Sequence, residues 1–130
     1  TIGHVHLQVG DVAQAEAFYH RVLGFDVVAG GETALFVSAG GYHHHLGLNV
    51  WHSRGASPAP ADTASLRFYS IALPSEEARA AVLARLEAAG QTGRQVDGAT
   101  VVEDPWGHAI VLEVAAPPDA ERAARLAAAL

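Results

Sequence analysis

Cysteine is absent from the 130 residues. That excludes a disulfide scaffold, a thiolate metal site and thiol catalysis. Methionine is absent too, and because the chain opens at Thr1 the expectation is a processed form or part of a longer product. Lysine is also missing: all 8 basic side chains are arginine, set against 14 acidic ones, for a net charge of −6. Nucleic acid and anionic membrane surfaces both need a basic face, so neither is an expected partner. No apolar run approaches the ~18 residues of a bilayer-spanning helix. No basic, then apolar leader opens the chain, and a cytoplasmic location is expected. Charged residues make up 17% and apolar residues 50% of the sequence, which argues for one folded domain with a real core rather than disorder.

What is present is histidine. There are 8, and five fall in two short clusters, His4 with His6 and His43-His44-His45. The segment from Gly3 to Val9 alternates as a strand, placing Val5, Leu7 and Val9 on one face and His4 and His6 on the other. Asp11, with Gln14 three residues on, caps a helix striped by Val12, Ala15, Phe18 and Val22 and ended by Gly24. Strands follow at Phe25–Ala29 and Thr33–Ser38, and after the Gly40-Gly41 turn at His43–Val50. Residues 51–64, rich in Ser, Pro and Ala, read as a long surface loop. A strand at Leu66–Leu73 and a helix capped by Ser75 and ended by Gly90 come next. Strands around Arg94–Val96, Thr100–Glu103 and His108–Val114 complete the pattern. Pro117-Pro118 begins a tail, residues 117–130, in which Asp119 caps a short helix with Ala123, Leu126 and Leu130 on one side.

This is strand-helix-strand-strand-strand, twice. Asp11 and Ser75 are 64 apart, Gly24 and Gly90 are 66 apart, and Ala34–Val37 and Ala99–Val102 are 65 apart. A near-constant offset across a half-chain is the mark of duplication. The expected fold is α+β, with βαβββ repeats over about 2–50 and 65–114 whose curved mixed sheets face a shared cleft, in one domain of residues 1–116.

Three stretches carry a resemblance: Gly3-His4-Val5-His6-Leu7-Gln8-Val9-Gly10-Asp11, then Ala17-Phe18-Tyr19 with Val22-Leu23-Gly24-Phe25, then Asp104-Pro105-Trp106-Gly107. The sequence resembles the vicinal oxygen chelate superfamily of glyoxalases, bleomycin- and fosfomycin-resistance proteins and extradiol ring-cleavage dioxygenases. The stretch from Ser38 to Asn49 looks like one module of catechol-2,3-dioxygenase-type proteins. The resemblance implies a cleft that, in the active enzymes, holds a divalent metal (Fe, Mn or Zn) on two histidines and one glutamate. It assigns the first ligand to His4. By the same comparison the second falls at Phe68 and the third at Val111, neither of which offers a donor atom. Glu113 shares the face of Val111, about 6–7 Å further along the strand. The family's tyrosine falls at Val101.

The histidines carry several readings. His4 and His6 are metal or guest contacts, or ordinary half-buried histidines. An offset of 65 pairs Leu46 with Val111, so His44 is expected to face the cleft, and His43 and His45 the helices. His44 resembles the acid/base histidine of ring-cleavage dioxygenases and is the catalytic candidate, with guest contact or packing as alternatives. His4, His6 and His44 together form a candidate rebuilt metal site, with Glu113 a remote fourth candidate, since imidazole suits Zn, Fe, Cu and Ni. His6, Trp51, Phe68 and Val111 are the candidate guest contacts, Trp51 as a lid or wall or else a loop anchor. Trp106 is read as a turn-packing residue, and Tyr19, His20 and His108 as surface or helix-packing residues.

The expected function is binding of a small aromatic or hydrophobic molecule, in a dioxygenase-like lineage whose usual metal site is impaired. The alternative is an active metal-dependent extradiol dioxygenase or lyase using a rebuilt histidine site. A third reading is a mainly structural half of a larger enzyme. A homodimer or an upstream module of the same fold is the expected protein partner.

Overall fold

The computed structural model describes residues 2–116 and 119–130. Pro117 and Pro118, where the tail was expected to begin, lie outside the described residues. The chain forms two compact units, Thr1–Pro58 and Ala59–Leu130.

Unit 1 contains β1 (Val5–Gln8), a helix that starts as α1 (Val12–Glu16) and continues as a π-helical stretch (Ala17–Val22), β2 (Asp26–Gly30), β3 (Ala34–Ser38) and β4 (Leu46–Asn49). Unit 2 contains β5 (Tyr69–Leu73), α2 (Glu76–Ala88), β6 (Arg94–Val96), β7 (Ala99–Glu103), β8 (Ala109–Val114) and a further helix α3 (Ala120–Ala129). The two sheets have the same order, β1-β4-β3-β2 and β5-β8-β7-β6. In each, the first and last strands pair in parallel and the other pairings are antiparallel. The expected duplication of a βαβββ unit is therefore present. Each crossover from first strand to second passes through a helix, which needs an apolar sheet face to pack on.

The period-2 pattern supplies that face. In unit 1, Leu7, Leu35, Val37, Leu46 and Leu48 are at most 4% exposed, as are Ala15, Phe18 and Tyr19 of the helix. Each fully buried aliphatic side chain here contributes about 1.5–3 kcal/mol. The helix is started by Asp11, whose Oδ1 accepts from the Gln14 N–H at 2.7 Å. Its last turns widen: the Leu23 N–H donates to Phe18 O, five residues back. His20 Nδ1 lies 2.6 Å from Phe25 O and fastens the exit. In unit 2, Val82 and Leu86 of α2 and Ile110 and Leu112 of β8 are buried.

Two expected strand starts move by three residues. The strand expected over His43–Val50 begins only at Leu46, and the one expected over Leu66–Leu73 begins at Tyr69. The register also corrects the assumed equivalence of Leu46 with Val111. His6 pairs with Gly47 and Ser70 with Val111, while Phe36 pairs with Gly47 and Val101 with Val111. Gly47 is thus the counterpart of Val111. The connection between β3 and β4 is one residue longer than that between β7 and β8, and a one-residue slip exchanges the faces of a strand.

The cap of α2 offers a check. The Ser75 side chain accepts from the Ala78 N–H at 3.2 Å. Its hydrogen bond to Glu77, together with a bond to the Glu77 backbone, holds that carboxyl below its ordinary value of 4.5. A carboxyl with a depressed folded-state value stabilises the fold above its ordinary value and loses that contribution as pH falls through the folded value. Ser75→Ala is expected to cost about 1 kcal/mol at neutral pH. In urea titrations the gap between the two proteins should narrow as the pH falls below 4.5.

Candidate functional site

In the parallel register of β1 and β4, Val5 stands opposite Leu46. The residues entering the two strands, His4 and His43 to His45, therefore lie at one end of the sheet. The loop between β3 and β4 sets their directions. Gly40 and Gly41 have φ of +64° and +74°, left-handed backbone that glycine adopts without strain. After this reversal the buried Ser38 hydroxyl donates to Tyr42 O. The His45 N–H donates to Val37 O at 2.8 Å, and the Val5 N–H donates to His45 O at 2.9 Å. The Ala39 N–H donates to His45 Nδ1 at 3.2 Å, which makes Nδ1 the unprotonated nitrogen of that ring. His45 is thereby held beside Phe25 and Tyr42, at centroid distances of 6.4 and 4.7 Å.

His43 and His44 both turn to His4. The His44 ring lies 4.6 Å from His4, 4.6 Å from His43, 5.2 Å from Phe36 and 5.7 Å from His6. His43 was expected to face the helices; instead its ring is 6.0 Å from His4. The reason is that residues 42–45 are loop, so strand alternation does not apply to them. One donor nitrogen from each of His4, His43 and His44 lies within 4.8 Å of the other two. His6 adjoins this group, 5.2 Å from His4, but its imidazole lies over Gly47. A Cβ at position 47 would sit 2.7 Å from His6 Cε1 and Nδ1. Glycine there lets His6 lean across β4 toward Phe36, 6.2 Å away.

Nε2 of His44 is buried with no hydrogen-bond partner among the described residues. Burial, followed by the charges of His43, His4, His6 and His45, holds the His44 imidazole below its ordinary value of 6.5. Held below its ordinary value, the imidazole is neutral at physiological pH, and Nε2 is its ring atom without a partner among the described residues.

The other expected contacts lie elsewhere. Trp51 follows the far end of β4, about 13 Å of strand from the histidines, and is 60% exposed. In unit 2, Val111 is fully buried in a cluster with Ala99, Val101 and Leu126 of α3, and Phe68 packs against that cluster. Glu113 is ion-paired with Arg122 of α3. Beneath α3 a cavity of about 370 Å³ is lined by Phe68, Ser70, Ala72, Glu113, Arg122 and Leu126. The positions that the resemblance assigns to a metal do not fit one. His4 has a donor atom; Phe68 and Val111 have none, and Val111 is enclosed by apolar side chains.

Two features escaped sequence reasoning. His43 joins the group because of the paired glycines, a signal that was visible but was read only as a turn. His108 was read as a surface or helix-packing residue, yet its Nδ1 is 2.7 Å from Oδ2 of buried Asp104. Asp104 Oδ1 accepts from the Trp106 and His108 N–H groups at 2.9 Å each. This carboxylate closes the turn before β8.

Residues 1–112 match the family described as the Glyoxalase/Bleomycin resistance protein/Dioxygenase superfamily. Over 112 residues, 85% of this chain, the sequence is 46% identical to a catechol-2,3-dioxygenase of Bacillus subtilis (strain 168). The match spans 39% of that relative's length. Two solved structures share the fold. A glyoxylase/bleomycin resistance protein/dioxygenase domain from Frankia sp. EAN1pec superposes with a TM-score of 0.68 at 18% identity, over 89% of this chain and 98% of that one. The glyoxalase I of Leishmania major gives 0.65 at 22% identity, over 88% and 86%.

The depressed value of His44 has a measurable sign. The unfolded chain takes up a proton at His44 more readily than the folded one, so the residue costs no stability above pH 6.5 and lowers it progressively as the pH falls below that value. In denaturant titrations from pH 7.5 down to about 5, His44→Phe is expected to flatten the acid-side decline. An unchanged slope would contradict the burial argument.

Proposed function

This chain belongs to the glyoxalase/bleomycin resistance protein/dioxygenase superfamily, and on that premise we propose that it is a small-molecule-binding module of the ring-cleavage dioxygenase lineage. It takes a small aromatic or apolar guest on the histidine-bearing sheet face of unit 1, with the family's usual metal site impaired. Its company is a second copy or another module of the same fold, in the cytoplasm.

One observation carries this reading: the contrast between equivalent sheet faces. In unit 1 the face bears His4, His6, Phe36 and Gly47, with both histidines exposed and Phe36 half-buried. In unit 2 the corresponding row of Ser70, Val101 and Val111, with Phe68 beside it, lies on the side where α3 packs. A flat aromatic guest suits the unit 1 face. Phe36 and the imidazoles offer ring edges and faces, glycine leaves space between them, and unpaired ring nitrogens give a hydroxyl a partner.

A second reading is an active metal-dependent ring-cleavage dioxygenase or lyase with a rebuilt histidine site and His44 as acid/base. The grouping of His4, His43 and His44 favours it, as does the identity to a catechol-2,3-dioxygenase. His44 has the properties such a role needs, a neutral imidazole with an unpaired buried nitrogen.

Thermal unfolding with catechol or phenol, with and without a chelator, separates the readings. The first expects stabilisation of about 2.7 kcal/mol at a hundredfold excess over the dissociation constant, retained in the chelator and lost in a Phe36→Ala, His6→Ala double variant. Stabilisation abolished by the chelator would support the second reading, and no stabilisation under either condition would overturn the first.

A further inference from the structure

We infer that His4, His43 and His44 form a three-imidazole site for a borderline transition-metal ion such as Zn²⁺, Co²⁺ or Ni²⁺, built wholly within unit 1. The inference rests on the second reading above and revises it: it names the ligands and the metal class, and it makes His44 a ligand in place of the acid/base. It stands or falls on metal binding, with no need of turnover.

The site differs from the one the resemblance implies. It shares only His4 with that set, takes nothing from Phe68 or Val111, and has no carboxylate. It also differs from the grouping of His4, His6 and His44 expected from the sequence, because His6 is seated on Gly47 and the donor atoms that converge belong to His43. Two independent observations support it. Donor nitrogens from three side chains on two chain segments lie within 4.8 Å of one another. Tetrahedral coordination at about 2.0–2.1 Å needs donors roughly 3.4 Å apart, so closure takes only small side-chain rotations, and His4 and His43 are exposed enough to make them. In addition, Nε2 of His44 is buried and unpartnered. In the tautomer that carries its proton on Nδ1, a cation would give that nitrogen the partner it lacks among the described residues.

The donor set selects the ion. Three neutral nitrogens suit Zn, Co, Ni or Cu and offer nothing to Mg or Ca, which take oxygen ligands. Three protein ligands leave one position open, the arrangement of metal sites that bind a further molecule rather than of closed structural sites. Phe36 and His6 adjoin the group, with rings 5.2 Å from His44 and from His4 respectively, on the face where the guest is proposed to bind.

Three consecutive histidines invite a simpler explanation, chelation by the run itself, and the fold separates the two. A run needs His45 and has no use for His4. The built site needs His4 and has no use for His45, whose Nδ1 accepts from Ala39 N–H and whose ring is held beside Phe25 and Tyr42. The experiment is equilibrium dialysis of the untagged chain against Co²⁺ and Zn²⁺, with the visible absorption of bound Co²⁺ as the geometric readout. One ion per chain is expected, with the intense bands of four-coordinate cobalt. His4→Ala and His43→Ala should each weaken binding by about 100-fold or more, beyond the ~10–100-fold typical of removing a supporting partner. His45→Ala should change it by less than about 3-fold. His4→Gln, which keeps a polar side chain before β1, serves as a second variant, and circular dichroism confirms that each folds. Loss on His45→Ala with retention on His4→Ala would overturn the inference, as would the absence of stoichiometric metal. Metal bound at the triad without conversion of catechol under oxygen keeps the site and removes the enzymatic reading alone.

Discussion

The parallel pairing of β1 with β4 is the constraint on which the rest of unit 1 depends. Its register sets Leu7 beside Leu48 on the helix side and His6 beside Gly47 on the other. Moved by one residue, it would bury imidazoles under the helix and expose leucines. The cost of burying unpaired polar rings in an apolar core fixes the register, and the fixed register brings His4 to the loop that delivers His43 and His44. Glycine at position 47 is part of the same constraint, since any side chain there would meet the His6 ring.

Duplication gave two sheets of one topology, but their second faces have diverged. In unit 2 that face carries Phe68, Val101 and Val111 and is packed from within the same unit by α3. Leu126 is buried, Arg122 pairs with Glu113, and Arg125 holds Asp97 with Nη2 to Oδ2 at 3.0 Å. In unit 1 the face carries the His44 Nε2, which has no hydrogen-bond partner among the described residues. Three exposed imidazoles contribute little to stability, and the buried, unpartnered nitrogen of half-buried His44 detracts from it. A buried polar atom without a partner asks for an explanation, and the proposed ligand offers one.

Much of the fold was legible because its signals are local. Asp11, Ser75 and Asp119 each cap a helix through an oxygen that accepts an N–H three residues on, and that chemistry can be read from a few residues. The repeat was legible because the caps and turns of both units keep their spacing. The site was less so. Placing His44 by counting alternate residues back from Leu46 assumed a strand where there is loop, and an offset of 65 where β4 and β8 differ by 64. The extra residue lies in the connection that carries His43, His44 and His45, so pattern counting failed at the point of interest. The grouping of His4 with His6 needed only the pattern of the first strand, and their rings lie 5.2 Å apart. The seat of α3 over Val111 is a tertiary choice that no local pattern encodes.

The central claim is that the histidine face of unit 1, and not the α3-covered face of unit 2, is where a guest binds. Side-chain nuclear magnetic resonance of the histidine and phenylalanine rings during titration with catechol tests it most directly. The account expects saturable shifts at His4, His6, His44 and Phe36, with Phe68 and the methyl groups of Leu126 and Val111 unmoved. Shifts confined to Phe68, Val111 and Leu126, with the histidines silent, would place the guest beneath α3 and contradict the account.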